Sequence, residues 1–203
     1  MIWTNNAVAL TLTPKAAAAL ASQPGIESVE IEFTRTLQTD TGPTFIGAQA
    51  LWAATAGQSG NRGAGVVVGI IDSGINASHP SFAATASDGY QHINPRGQRF
   101  GLCNSLAAAR CSDKLIGIYD FTDEGSKDGS DLDGHGTHVA STAIGNPFAG
   151  RITAPTISFP VPISGVAPRA NVISYKACSK SATGPTTCPG AALLSAIEQA
   201  AAD

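Results

Sequence analysis

The chain has 203 residues, enough for a full core in one or two domains, with 43% hydrophobic side chains that lean heavily on Ala. A formal net charge of -3 with only 13% charged residues gives no electrostatic ground for a nucleic-acid or anionic-membrane partner. The longest strongly apolar run, Val66 to Ile71, is too short to cross a bilayer, and the 22 glycines fit the turns of an α/β protein better than a helical bundle.

The first block runs from about Ala7 to Leu37. Val8, Leu10 and Leu12 alternate with small or polar residues, which predicts a half-buried strand. Thr13-Pro14 reads as an N-cap and an N1 proline opening a short Ala-rich helix that stops near Ser22. Beyond Pro24-Gly25, Val29, Ile31 and Phe33 alternate with Glu30 and Glu32, which predicts a second amphipathic strand. A strand–helix–strand unit of this size needs a partner surface or further sequence to be stable. Before this block, Met1 to Asn6 lack a basic stretch followed by an apolar one, so they are not a signal peptide, and any export signal is expected upstream.

Thr39 to Gly65 is a polar, Gly-rich connector with a short helix expected around Leu51-Trp52. Val66 to Ile71 then forms a continuous apolar run ending in Asp72-Ser73-Gly74, the pattern of a parallel strand covered on both faces. Asp88 to Asp133 is polar and Gly-rich and reads as an irregular excursion from the core. His135 to Ile144 suits a buried helix, Ala170 to Tyr175 a short strand, and Pro189 to Ala202 a helix with Leu193, Ile197, Ala200 and Ala201 on one face.

Two segments carry the chemistry: Gly69-Ile-Ile-Asp-Ser-Gly-Ile75 and Asp133-Gly-His-Gly-Thr-His-Val-Ala-Ser141. A carboxylate at the carboxyl end of a parallel strand stands where α/β sheets place ligands and catalytic groups. A histidine entering a helix between Gly134 and Gly136 has room for close approach by a substrate. Together Asp72 and His135 supply two thirds of an acyl-transfer triad: the carboxylate accepts from one imidazole nitrogen and leaves the other as a base. A zinc reading of His135 and His138 fails, because a zinc hydrolase helix wants histidines four apart with Glu between them, and here they are three apart with Gly and Thr.

These segments resemble the Asp and His signatures of the subtilase family of serine proteases, in which Asp precedes His and the nucleophilic Ser comes last. The resemblance implies that His135 is the general base, that Asp72 orients it, and that His138 is structural, packed beneath the site. Gly165 to Lys176 and Ala191 to Asp203 resemble the strand and helix that follow the catalytic-His helix in that family. The Lys-Leu-Ile-Gly within Cys111 to Phe121 and the Tyr-Lys-Ala-Cys at 175–178 are most similar to the plant-type, cucumisin-like branch. That branch implies disulfides Cys103–Cys111 and Cys178–Cys188, and with them an oxidising compartment; counting cysteines alone leaves three connectivities, or four free thiols, open.

The resemblance thus implies a partial, doubly wound parallel α/β sheet with flanking helices over residues 39–203. Residues 1–38 would be the second half of a small α+β inhibitory propeptide, cut off between Leu37 and Thr41. The implied activity is peptide-bond hydrolysis by a secreted or cell-envelope endopeptidase acting on polypeptides, with its own propeptide as intramolecular inhibitor and no cofactor. Ser81, in His79-Pro-Ser-Phe82, stands where compact bacterial subtilisins often carry a calcium-binding Asp, and Asp123, Glu124, Asp128, Asp131 and Asp133 fit no complete calcium loop and read as a solvated stretch. No Gly-Thr-Ser-Xaa-Ala segment occurs in the chain. The expectation is therefore an inert N-terminal fragment of a protease; the alternative is a truncated paralogue that binds peptides or a protease without cutting.

Overall fold

A computed structural model of the chain describes residues 8, 10–31, 46–53, 60–105, 107–154, 157–181 and 183–203. In the first block, helix α1 spans Pro14–Ala21, and the Thr13 hydroxyl accepts the Ala16 N–H at 3.3 Å, an N-cap followed by proline in the first turn. Neither flanking strand expected there is seen among the described residues: 10–13 and 26–31 take part in no β pairing. Alternation alone cannot make a strand, because its backbone groups need a neighbouring ladder and its apolar face a surface to cover it. Phe33 and the segment from Leu37 to Thr41 lie outside the described residues. A second short helix, α2 (Ala48–Trp52), follows, and the Trp52 indole N–H donates to the Val166 carbonyl at 2.8 Å, tying the connector to the body of the protein.

That body is a parallel sheet. Strands β1 (Val67–Asp72), β2 (Phe100–Gly101), β3 (Leu115–Asp120) and β6 (Asn171–Lys176) lie in the order β1-β6-β3-β2, every pairing parallel. Side chains alternate between the two faces, with a break in β3. A register shift there, between Leu115 and Gly117, puts Leu115 and Ile118 on one side and Ile116 on the other. Ile70, Leu115, Ile118 and Val172 pack with Ala140 and Ile144 of helix α3 (His135–Ile144). Ile116, Ile173 and Tyr175 pack on the other side with Ala192 and Ala196 of helix α4 (Gly190–Ala202). The result is the layered α/β arrangement anticipated from the buried parallel strands.

The reading of Asp88 to Asp133 as wholly irregular is corrected by β3, whose Leu115, Ile116 and Ile118 are fully buried. The apolar residues of this six-residue strand are interrupted by Gly117, which hid it. The glycine has a packing role, since a Cβ at 117 would stand 2.7 Å from the Phe100 Cβ and 2.8 Å from the Ile173 Cγ2. Just before β3, Lys114 is fully buried, and its ammonium donates to the carbonyls of Ile144, Pro168 and Ala170. It thereby ties the end of α3 to the approach to β6, a favourable place for a cation.

An antiparallel hairpin of β4 (Phe148–Ala154) and β5 (Ile157–Ile163) stands apart from the main sheet and was not anticipated. Pro160 and Pro162 argue against a strand in sequence. They are two apart, so both address the same edge of β5, and a two-stranded hairpin leaves one edge without a ladder.

Disulfides join Cys103 to Cys111 and Cys178 to Cys188. Among the described residues no helix is long and apolar enough to cross a membrane.

Candidate active site

Asp72 is the last residue of β1. It is held from behind by the neighbouring strand, since the Ala177 and Cys178 N–H groups both donate to its carbonyl, at 2.8 and 3.1 Å. Its side chain turns toward the first residue of α3. Nδ1 of His135 lies 3.0 Å from each Asp72 carboxylate oxygen, and Oδ1 also accepts the Ser73 N–H at 2.6 Å. The two side chains are only 9% and 12% exposed. A carboxylate facing Nδ1 selects the tautomer with the proton there, so the basic lone pair sits on Nε2.

Two glycines permit this approach. A Cβ on Gly136 would run into the Gly74 carbonyl oxygen, and Gly74 has φ +111°, a conformation side-chain-bearing residues avoid. Helix α3 can therefore press its first turn directly against the turn leaving β1. The His138 assignment is corrected: the residue is exposed, not packed beneath the site. The stripe α3 buries is Gly136, Ala140 and Ile144, and a residue two positions after Gly136 points about 200° around the helix from it.

The acidic stretch is also not a freely solvated loop. Glu124 pairs with the buried ammonium of Lys176 at 2.7 Å and accepts the Lys180 N–H at 2.6 Å. Lys176 donates besides to the carbonyls of Ser73 and Ser130, at 3.0 and 2.6 Å. Asp128 accepts from the Ser130 N–H and hydroxyl and from the Ser126 hydroxyl, with Arg110 at 3.8 Å. Burial raises its carboxyl, but these donors outweigh that and hold it below the usual range. Asp133 accepts from the His135 N–H at 3.3 Å and from the Thr186 hydroxyl, and Asp123 meets Lys127 on the exposed surface. Asp131 accepts from both sides of the site and was missed as a site residue. It lies three residues before the N-cap Gly134, outside the capping position itself, so no local pattern marked it. Among the described residues, no three His, Cys, Asp or Glu side chains converge as a bound metal ion requires.

The Cys178–Cys188 loop flanks this centre. Ser179 and Thr187 exchange backbone hydrogen bonds at 2.9 and 3.0 Å, and the Thr186 hydroxyl reaches Asp133 beside the histidine. Chemically, the arrangement can take a proton at Nε2 of His135 and stabilise the resulting imidazolium with the Asp72 carboxylate.

Comparison with known proteins agrees with this geometry. The model of the subtilase family matches residues 63–202. The subtilisin-like protease SBT4.13 of Arabidopsis thaliana is 35% identical over 204 residues, covering 98% of this chain and 25% of that protein. The subtilisin-like protease SBT2.1 of the same plant is 33% identical over 221 residues, covering 98% and 24%. The subtilisin-like protease Glyma18g48580 of Glycine max is 34% identical over 214 residues, covering 98% and 26%. The chain spans about a quarter of the length of the curated relatives it matches. With a parallel sheet carrying Asp72 at a strand end and His135 at a helix start, and with a family match across most of its length, the chain belongs to the subtilase family.

Proposed function

We propose that the chain is the front part of a serine endopeptidase, in which Asp72 orients His135 and His135 acts as general base toward a serine supplied by sequence outside these 203 residues. The observation that carries this reading is the paired contact of His135 Nδ1 with both Asp72 oxygens at 3.0 Å, in a nearly buried site at the carboxyl end of a parallel strand. The base would take the serine proton during attack on a peptide carbonyl and return it to the leaving amine. Substrates are polypeptides, in keeping with relatives named as proteases, and the disulfides fit an extracellular setting.

Residues 1–38 serve in this proposal as the second half of an inhibitory propeptide, removed by a cut between Leu37 and Thr41. In support, the family match begins only at residue 63, while the relatives' likeness extends over 98% of the chain. The isolated chain carries no Gly-Thr-Ser-Xaa-Ala segment and is inert by this reading. The same absence favours a second reading, a paralogue that binds peptides without cutting them.

The test uses a longer protein containing a downstream serine segment. His135→Ala lowers turnover by about four orders of magnitude or more, while His138→Ala, on an exposed position, leaves it within a few-fold. Equal, small effects would sink the role assignment. For residues 1–203 alone, neither peptide hydrolysis nor fluorophosphonate labelling is expected, and specific labelling of a serine within them would overturn the account.

A further inference from the structure

The turn leaving β1 and the first turn of α3 are joined by a crossed set of hydrogen bonds that meet on one carboxylate. The Ser73 hydroxyl, on the strand side, donates to Asp131 Oδ1 at 2.9 Å and accepts the Gly136 N–H of the helix at 2.9 Å. The Thr137 hydroxyl, on the helix side, donates to Asp131 Oδ2 at 2.5 Å and accepts the Asn76 N–H of the strand-side turn at 3.0 Å. Each hydroxyl thus spends its single proton on Asp131 and offers a lone pair across the gap. Asp131 further accepts the N–H groups of Asp133, Gly134 and Thr137, at 3.1, 2.8 and 2.8 Å. The Gly134 N-cap position has no side chain of its own with which to take the free N–H groups of α3; Asp131 takes that of Thr137, Ser73 Oγ that of Gly136 and Asp133 that of His135.

Asp72 and His135 are the immediate neighbours of the groups so joined. Asp72 precedes Ser73, and His135 lies between Gly134 and Gly136, whose N–H groups bond to Asp131 and to Ser73 Oγ respectively. We infer that Asp131 is a positioning residue: as a carboxylate that only accepts, it fixes the first turn of α3 against the end of β1 and so sets the separation of His135 from Asp72. The inference deepens the protease reading and rests on it for its catalytic meaning, although the geometry it concerns lies wholly within this chain. Every partner of Asp131 is a donor, so an amide in its place turns an NH2 toward N–H and O–H groups. Asn is therefore isosteric and yet disruptive.

The direct readout is the low-field proton resonance of an imidazole N–H bound to a carboxylate, recorded on the 203-residue chain. The unmutated chain should show it, and His135→Ala should remove it. Asp131→Asn should lose or markedly weaken it while far-UV circular dichroism stays unchanged. Asp128→Asn removes another hydrogen-bonded acid from the same stretch and should leave it intact. A folded Asp131→Asn chain with an undiminished resonance overturns the inference, as does absence of the resonance from the unmutated chain. If Asp131→Asn does not fold, Asp131→Glu moves the carboxylate by one methylene and is read by the same criteria.

In the longer, active protein the expectation is a fall in kcat of about 10²-fold with KM nearly unchanged, the signature of a misplaced base. A folded Asp131→Asn enzyme with wild-type kcat overturns the inference. If the longer protein hydrolyses nothing while the resonance is present in the chain and lost from Asp131→Asn, the protease reading falls and the positioning role stands.

Discussion

The four-stranded sheet and the first block both carry strand patterns, apolar runs in the one and period-two alternation in the other, and they end differently. Val172, Ile173 and Tyr175 of β6 lie between two neighbouring strands and two helices, and all are essentially buried. Val8, Leu10, Leu12, Val29 and Ile31 alternate with small or polar residues but remain exposed, Ile31 by 80%. Helix α1 forms within that block because its hydrogen bonds and cap are local, whereas strands require partners brought from elsewhere in the chain. The difference teaches that a helix can be complete in a fragment of a fold while a strand cannot. It also agrees with the proposal that the first block is half of a unit.

Substitutions in the sheet and in the first block should therefore have very unequal costs. The largest effect is expected at a fully buried strand residue. Ile118→Ala, between β6 and β2 on the α3 face, should cost about 2–5 kcal/mol in a denaturant titration. A cost under about 1 kcal/mol would mean that β3 is not the core strand described here.

Lys114→Met comes next, at about 3 kcal/mol, because it strands the carbonyls of Ile144, Pro168 and Ala170 without their donor. Burial pulls the Lys114 ammonium down to about 7. Below that value the lysine is protonated in both the folded and the unfolded chain, so its contribution does not vary with pH. Between about 7 and the ordinary lysine value of about 10.4 the unfolded chain binds more protons, so stability rises with pH across that window. Thermal unfolding of the unmutated chain at pH 7 and pH 9 should show this rise, and Lys114→Met should abolish it. Asp131 contributes at the opposite end of the scale. Burial raises its carboxyl, but hydrogen bonds from Thr137, Gly134 and Ser73 more than offset this and hold it below the usual range. That stability is present above about pH 4 and is lost as pH falls through the depressed value, so Asp131→Asn should flatten part of the acid unfolding curve.

How much of this was legible in the sequence follows from the range of the interactions. β1, α3, β6 and α4 were visible because each announces itself within a dozen residues, through an apolar run or an apolar stripe. The stripe expected of α4 is nevertheless displaced: the helix buries Ala192 and Ala196, and Ile197 is 49% exposed. Asp72 and His135 were visible because their flanking glycines and chain order form a pattern. β3 was hidden by Gly117, a residue that suits a strand only because Phe100 and Ile173 crowd it from distant parts of the chain. The exposure of His138 and the bonds of Asp131 depend on how α3 meets β1, across some sixty positions of sequence, and no local pattern encodes that.

The smallest expected effects belong to the first block and test the comparison from its other side. Thr13→Ala removes the side-chain N-cap of α1, and about 1 kcal/mol of local helix stability should go with it. Because α1 buries none of its residues, that loss should show in hydrogen exchange of residues 16–21 and leave the main unfolding transition where it was. Ile31→Ser should be smaller still, within about 0.5 kcal/mol, since an isoleucine four-fifths exposed has little apolar surface to return to water. A cost above about 1 kcal/mol for Ile31→Ser would mean that this face is covered in solution. The covering surface would then be the first place to look for the partner of the unpaired strand pattern. If the longer protein bears that cost and the 203-residue chain does not, the missing cover lies in sequence outside these 203 residues, as the propeptide proposal requires.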